Sequence, residues 1–505
     1  MEEIESDVVV IGAGASGLTA ADALVAEGFD VVVLEARDRV GGRLWTREIE
    51  GAVLELGGQW VSPDQTALIA LLERLGLETY ERYREGQAVY VGASGVPARF
   101  ERDFPVAAST QQAIEALVAE VDRLVAETDV RAPWTHPRAA ELDAISWQAW
   151  LASQTDDVEA RAIVSLFIAE AMLTKPASAF SLLQALQMAG SAGSFSNLVD
   201  DEFILDKRVV GGLQQVPLQL AAGLGDRVRL GQPVRTVVWD DDSVVVSTDT
   251  LRVHARRAVV AVPPNLYGRL TFAPALPAAQ QQLHQHLSLG LVIKVHAVYD
   301  RPFWRDAGLS GTGFGPGLAL HEAYDNTYAG SEGGTLVGFV SDTKADALLL
   351  LDAETRRERL LGCLATYFGP EALTPRVYYE SDWASEEWTR GAYAASFDLG
   401  GLSRWGSLLR ATVGPLHWST SDVAAEGFQH VDGAIRMGQE TAAAVGPGGG
   451  GGGRRGTPPP PPRAAAPGGG GGGAHPAPPH PNRGALNTRA GGPPAPAKVS
   501  MPSSA

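Results

Sequence analysis

Gly12, Gly14 and Gly17, with Ala15 and Ser16 among them, stand directly after the apolar run Val8 to Ile11 and directly before an amphipathic stretch. The chemistry that needs this order is dinucleotide binding. The first glycine permits a tight turn, the second lets the backbone approach a pyrophosphate, and the third lets a helix lie close on a strand. Free N–H groups at the start of that helix meet the phosphates. A second apolar run, Val31 to Leu34, delivers Glu35, an acid placed to accept hydrogen bonds from an adenosine ribose. Glycines in this spacing also describe ordinary turns. Here strand, turn, helix, strand and acid arrive in register.

Other positions carry charge in unusual surroundings. Lys294 falls in the middle of SLGLVIKVHAVYDRPFWR, flanked by Leu291, Val292, Ile293 and Val295. A strand lysine ordinarily faces water from a sheet edge; these neighbours imply burial, and a buried ammonium requires partners. Glu322 and Asp325 share the stretch LALHEAYDNT, where strand alternation turns them to opposite faces. No Ser, His and Asp have the local pattern of a hydrolase triad. No cysteine–histidine spacing suits a metal, and none is expected.

A long chain must position these groups. Its 505 residues exceed one ordinary core and provide for two domains with appendages. The single cysteine, Cys363, excludes an internal disulfide and fits a reducing compartment. The acidic start, MEEIESD, has no secretory pattern, and no apolar run has the length of a membrane span, so a cytoplasmic protein is expected. Net charge is −18; five arginines, one lysine and no acid follow Val445, which leaves the preceding body near −24. That sign disfavours nucleic acid and anionic membrane as partners and favours the approach of a cation.

Periodicity places a helix after Gly14 that Gly28 ends, and another over QTALIALLERLG. A helix over 109–127 is expected to open with Ser109 and Gln112 in capping-box spacing. Helices follow at 146–154, 156–173 and 181–189, and one at 353–368. Strands are expected at 228–230, 233–239, 243–248, 253–263, 292–299, 310–327, 335–341 and 377–380. Beyond residue 446 the chain is Gly/Pro-rich and is expected to be disordered, because it cannot bury enough apolar surface to offset chain entropy.

Directly after Glu35 the chain reads ARDRVGGR, with Ala36, Arg37, Gly42 and Arg43, and Leu54 to Trp60 reads LELGGQW, with Gly57, Gly58, Gln59 and Trp60. These segments resemble the FAD-binding segments of the flavin amine oxidase family. Two more stretches carry the resemblance: WASEEWTRGAYAASFDLGG from Trp383, and LHWSTSDVAAEGFQHVDGAIRMGQETA from Leu416. It implies an α/β, Rossmann-like FAD domain (1–87, 206–293 and 391–446) interleaved with an α+β substrate domain (88–205 and 294–390), leaving 447–505 as a tail. By the same resemblance Lys294 holds a water against the flavin. Tyr393 is one wall of a cage around the substrate amine and His430 the other, where the family has tyrosine; Phe428 is the alternative if a two-residue gap is allowed. Family members with covalent flavin carry a cysteine before the tyrosine. Here Ala392 stands there, so FAD is expected to be non-covalent. Val234 lies near the adenine, and Trp383, Asp422, Val431, Asp432 and Ala434 complete the cofactor contacts. The last helix then points its positive end at the flavin.

GGQWVSPDQTALI, GSFSNLVDDEFILDKRV and AAEGFQHVDGAIRMGQ narrow the resemblance, over residues 5 to 445, to the bacterial branch of the family that oxidises a short diamine. This implies conversion of 1,4-diaminobutane to 4-aminobutanal, which cyclises to 1-pyrroline, with ammonia and hydrogen peroxide as co-products. A hydride passes from the α-carbon to flavin N5, and O2 is the second substrate. Glu322 falls where family members place a cavity residue and would hold the distal ammonium, with Asp325 its neighbouring competitor. A homodimer is implied by the family. Other polyamines or monoamines as substrates, and a non-catalytic flavoprotein scaffold, are the competing readings.

Overall fold

Val8–Ile11 and Val31–Leu34, each four consecutive buried aliphatic residues, pair in parallel at the centre of a sheet. Burial on both faces is what a continuous apolar run, rather than an alternating one, requires. The computed structural model describes residues 1–200 and 202–446. The tail expected to be disordered, 447–505, lies outside the described residues. The sheet has five strands, all parallel, in the order Val228–Arg229, Val31–Leu34, Val8–Ile11, Arg257–Val260 and Leu416–Trp418. The helix Ala15–Ala26 packs on it and against the last helix, Val431–Val445. A Cβ at Gly17 would stand 2.1 Å from Gly12 O, so only glycine lets the first helix leave its strand this closely. Gly12 itself holds φ +109°, in the left-handed region that favours glycine.

A second five-stranded sheet takes in Glu2–Glu5, Leu251–Ala255, Val244–Ser247, Thr236–Trp239 and Thr271–Ala273. Its first strand was not expected, because three acids among four residues carry no strand signal. The partner strand resolves the charge. Glu3 accepts from Arg252 at 3.1 Å and lies 2.8 Å from His254 Nε2.

A seven-stranded sheet provides the other large surface, in the order Val377–Asp382, Val292–Tyr299, Gly334–Ser341, Glu322–Asp325, Leu309–Phe314, Gln87–Val91 and Pro97–Phe100. The last two strands were not expected from the sequence. Every residue of Val292–Tyr299 is buried, yet its two faces differ. Ile293, Val295, Ala297 and Tyr299 join Leu360, Leu361 and Leu364 of the helix Ala353–Phe368 in one core. The opposite face turns Val292 and Lys294 to a cavity.

Helices fill the segment before residue 200. The helix Ala108–Ala126 starts one residue early, and Ala107 caps it without a side-chain bond. The capping box expected from Ser109 and Gln112 is therefore not formed: Ser109 lies inside the first turn. Asp157 instead caps the helix Val158–Ser165 by accepting from Ala160 N, and it also accepts from Thr110. The single helix expected over 156–173 changes pitch, becoming a π-helix over Leu166–Leu173. That wider turn carries Phe167, Ala171 and Met172 on the cavity wall.

Candidate active site

A cavity of about 860 Å³ runs from the glycine turn to the face of the seven-stranded sheet. At one end, Gly14 is the N-cap of Ala15–Ala26, with no side chain bonded to the first helical N–H groups. Nothing lies within 4 Å of where a Gly14 Cβ would project. Glu35 is buried, and its carboxylate is aimed by two backbone donors, Ala13 N at 2.7 Å and Arg37 N at 2.9 Å. Along the same wall Arg37 Nε, Trp60 Nε1, Thr420 Oγ1 and Gln429 Oε1 are buried without a partner among the described residues. Buried polar atoms are rarely left unpaired. A dinucleotide with a polar ring system fits these vacant donors and acceptors. Val431 and Ala434, in the first turn of the last helix, line the cavity, where the positive end of the helix suits an electron-rich ring.

Arg43 ties this end to the next. It donates to Asp422 at 2.6 and 3.1 Å and to Tyr393 O at 2.6 Å. Asp422 also accepts from Ala395 N at 2.6 Å. One aspartate thus fixes both the arginine and the start of the strand Ala395–Phe397, which follows Tyr393.

Lys294 is buried, and its Nζ donates to Glu55 O at 2.7 Å, Gly57 O at 2.9 Å and Gln59 Oε1 at 2.6 Å. An ammonium has three donors, and all three are taken by protein acceptors. A water on Lys294, the role implied by resemblance, needs one of these bonds to give way. Burial pulls the lysine down to about 7, opposed by the Glu55 charge and assisted by Arg208. Glu55 and Arg208 form a buried ion pair at 2.7 Å, and Arg208 reaches Asn326 O at 2.7 Å. Asn326 Oδ1 accepts from Gln59 Nε2 at 2.9 Å, which orients the Gln59 amide with its oxygen towards Lys294.

Lys294 and Glu322 lie on strands either side of Gly334–Ser341, and both stand opposite Phe339. Two strand spacings, about 10 Å, separate their backbones. The three side chains form one row along the cavity wall. Glu322 is buried and accepts from Tyr324 Oη at 2.9 Å. Asp325 turns the other way, as alternation requires, and accepts from Trp304 Nε1 and Arg305 Nε at 2.8 Å each.

Tyr393 opens into the cavity, its ring 6.3 Å from that of Phe339 at an interplanar angle of 80°. Burial and the Glu322 charge push its phenol well above the usual value, so it stays protonated. His430 also lines the cavity, while Phe428 is packed in the core and lends only its carbonyl. Nδ1 of His430 lies 3.0 Å from Phe428 O. A carbonyl oxygen only accepts, so the proton sits on Nδ1 and Nε2 keeps its lone pair. Burial lowers the His430 pKa against the opposing charges of Asp64 and Asp432, which favours this neutral form.

Of the residues expected from the sequence, Lys294, Glu322, Tyr393 and His430 share the cavity with Gly12, Gly14, Ala15, Ser16, Glu35, Ala36, Arg37, Gly42, Arg43, Gly57 to Trp60, Val234, Trp383, Ala392, Val431 and Ala434. Three do not line it. Gly17 faces the strand behind. Asp422 acts through Arg43. Asp432 accepts from Ala67 N and Leu68 N, capping the helix Thr66–Leu75, and from Arg436. Sequence reasoning passed over Tyr324, Phe339, Phe167 and Gln429, which all line the cavity. Only Tyr324 had a local signal, two residues from Glu322 on the same face.

Residues 15–446 match the family described as flavin containing amine oxidoreductase. The chain is 58% identical over 455 residues to putrescine oxidase of Kocuria rosea, covering 88% of this chain and 95% of that one. A solved putrescine oxidase structure, described as wild type bound to putrescine, superposes with a TM-score of 0.87 at 59% identity, covering 88% of this chain and 99% of the other. Cyclohexylamine oxidase from Brevibacterium oxydans superposes with a TM-score of 0.83 at 29% identity, over 87% of this chain and 98% of the other.

Proposed function

The chain belongs to the flavin containing amine oxidoreductases, with FAD as cofactor, and from that premise we propose that it deaminates putrescine oxidatively to 4-aminobutanal. The balance is putrescine, O2 and water to 4-aminobutanal, ammonia and hydrogen peroxide; the aldehyde then closes to 1-pyrroline. The row Lys294–Phe339–Glu322 carries the reading. Among the described acids along the cavity, Glu101, Asp200 and Glu202 are exposed, and Glu35 serves the ribose end. Glu322 remains as the buried carboxylate, placed for a cationic group at the end of a short chain.

Bound FAD supplies the two-electron acceptor for the α-carbon hydride and the route to O2. The protein's own residues bind and orient. The reacting amine must be neutral, and it sits between Tyr393 and His430, whose Nε2 lone pair accepts an N–H of the amine. Glu322 takes the distal ammonium, fixed by the Tyr324 hydroxyl, and Phe339 floors the methylene chain between them. Lys294, through whichever of its donors is released, serves the oxygen-facing side. Residues 1–87, 206–293 and 391–446 serve the cofactor in this reading, and 88–205 and 294–390 the substrate, in line with the separate five- and seven-stranded sheets. Among the described residues no helix is long and apolar enough to cross a membrane. A homodimer follows the family likeness, and a cytoplasmic location suits the lone Cys363.

The test is hydrogen peroxide release from the FAD-loaded protein with putrescine, spermidine, butylamine and cyclohexylamine. The highest specificity constant is expected for putrescine. A higher value for cyclohexylamine or butylamine would make it a monoamine oxidase, and no peroxide from any amine would leave a scaffold.

A further inference from the structure

His321 precedes Glu322 and is fully buried. Its Nε2 is 3.6 Å from Glu322 Oε1, and its Nδ1 is 3.6 Å from Glu170 Oε2. Among the described residues neither ring nitrogen has a closer hydrogen-bond partner. The backbone fixes the ring in this slot: His321 N donates to Phe339 O at 3.1 Å, and Gly315 N donates to His321 O at 2.8 Å. Glu170 sits on the π-helix Leu166–Leu173 and accepts from Lys344 Nζ at 2.9 Å; Lys344 also donates to Pro316 O at 2.6 Å. Lys344, Glu170, His321 and Glu322 therefore form one chain of alternating charge and imidazole, running from the partly exposed lysine to the cavity.

A neutral imidazole has one N–H and can serve only one of two flanking carboxylates; an imidazolium serves both. An N–H given to Glu322 occupies an acceptor site on the carboxylate that a substrate ammonium would otherwise use. Resting on the reading of Glu322 as the anchor for the distal ammonium, we propose that His321 is a specificity-determining positioning residue, coupling that anchor to the Glu170–Lys344 pair and thereby setting the preference for diamine over monoamine. Among the described residues, the other titratable groups facing this array are Tyr324 on the same strand, Asp342 at the start of the helix Asp342–Leu349 beside Glu170 and Lys344, Tyr367 and Cys363 on the helix Ala353–Phe368, and Tyr393 across the cavity. Burial raises the pKa of Asp342, Tyr367, Cys363 and Tyr393, which keeps the phenols and the thiol protonated at neutral pH.

The test follows the ratio of specificity constants, putrescine to butylamine, at one fixed pH. Each substrate loses one proton to react, so the ratio cancels that step and reports the distal site. Glu170→Gln leaves Glu322 as the one carboxylate beside the ring, so the imidazole N–H turns to it and the ratio is expected to fall about tenfold. Lys344→Met leaves Glu170 unpaired and draws that N–H away from Glu322, so the ratio is expected to stay at or above its wild-type value. Neither side chain lines the cavity, so butylamine turnover is expected to stay near wild type. In a His321→Gln background neither change should move the ratio. Equal ratios in wild type, Glu170→Gln and Lys344→Met, or a fall of the same size in both variants, would overturn the proposal. If Glu322→Gln leaves the ratio unchanged, the anchor reading fails first; if it collapses the ratio while the Glu170 and Lys344 variants leave it unmoved, only the His321 proposal fails.

Discussion

Lys294 and Glu322 stand opposite the same residue, Phe339, on the strands flanking it. A cation that meets the cofactor's glycine segment and an anion that faces the substrate end are thus held in one row by sheet register. Sheet spacing, rather than loop conformation, sets the distance between them, and a register slip of one residue would turn both side chains to the opposite face.

At the lysine end of that row, charge state decides how many acceptors Lys294 can hold. Below about 7 it is an ammonium with three protein partners; above that it is an amine with two N–H donors, and one of Glu55 O, Gly57 O or Gln59 Oε1 is released. Oxidation of the reduced enzyme by O2 is expected to vary with pH about this midpoint in the wild type and to lose that variation in Lys294→Met. The same variant should retain FAD and slow reoxidation more than reduction by amine. Stopped-flow recording of the two half-reactions checks this; equal slowing of both, or loss of FAD, would make Lys294 a packing residue.

Ala392 is buried on the cavity wall and offers no thiol. FAD should therefore be released into the supernatant when the protein is denatured with acid or heat. Yellow colour retained by the precipitate would contradict non-covalent binding. Ala392→Cys is expected to create a covalent link, visible as flavin fluorescence of the polypeptide on a denaturing gel.

Asp422 connects Arg43 of the cofactor segment to Ala395 N, at the start of the strand Ala395–Phe397 that follows Tyr393. Its side chain is fully buried and that of Arg43 is one-quarter exposed. Asp422→Asn breaks a largely buried pair, an effect on the order of 3 kcal/mol. A lower melting temperature and weaker FAD retention are expected together. A loss of stability with unchanged FAD affinity would show that Arg43 does not need Asp422 to meet the cofactor.

The cofactor end of the protein was readable because its signals are local. Strand, glycine turn, helix and Glu35 lie within one short stretch, and each reports its own conformation. The row of Lys294, Phe339 and Glu322 was not readable as a row, since register between distant strands leaves no mark on either strand alone. The acceptors of Lys294 include two backbone carbonyls, which no residue type announces. Glu170 meets His321 from a π-helix that begins at Leu166, and eight residues are too few for its apolar period to be told from that of an α-helix. Glu2–Glu5 was not legible as a strand because its partners, Arg252 and His254, are remote in the chain. The choice between Glu322 and Asp325 did follow from alternation, a rule internal to one strand.

Glu322 gives the most discriminating prediction. A hydrogen bond to a charged group contributes about 1.5–3 kcal/mol, or roughly ten- to a hundredfold in specificity constant. Putrescine can use that anchor, whereas butylamine has four carbons and no second nitrogen. One methylene adds only about 0.8 kcal/mol of apolar burial, so chain length alone separates substrates less than the second charge does. Glu322→Gln keeps the shape of the side chain and its bond to the Tyr324 hydroxyl but removes the charge. It should depress the putrescine specificity constant by at least about tenfold while changing that of butylamine little, because butylamine never met the carboxylate. The preference for putrescine over cadaverine should narrow as well, since the anchor fixes where the reacting carbon stands along the Lys294–Phe339–Glu322 row. Measuring the three specificity constants in wild type and variant decides the matter. An unchanged ratio of diamine to monoamine would remove Glu322 from the substrate site, and with Asp325 turned to Trp304 and Arg305, the anchor would have to be sought among the acids at the cavity mouth.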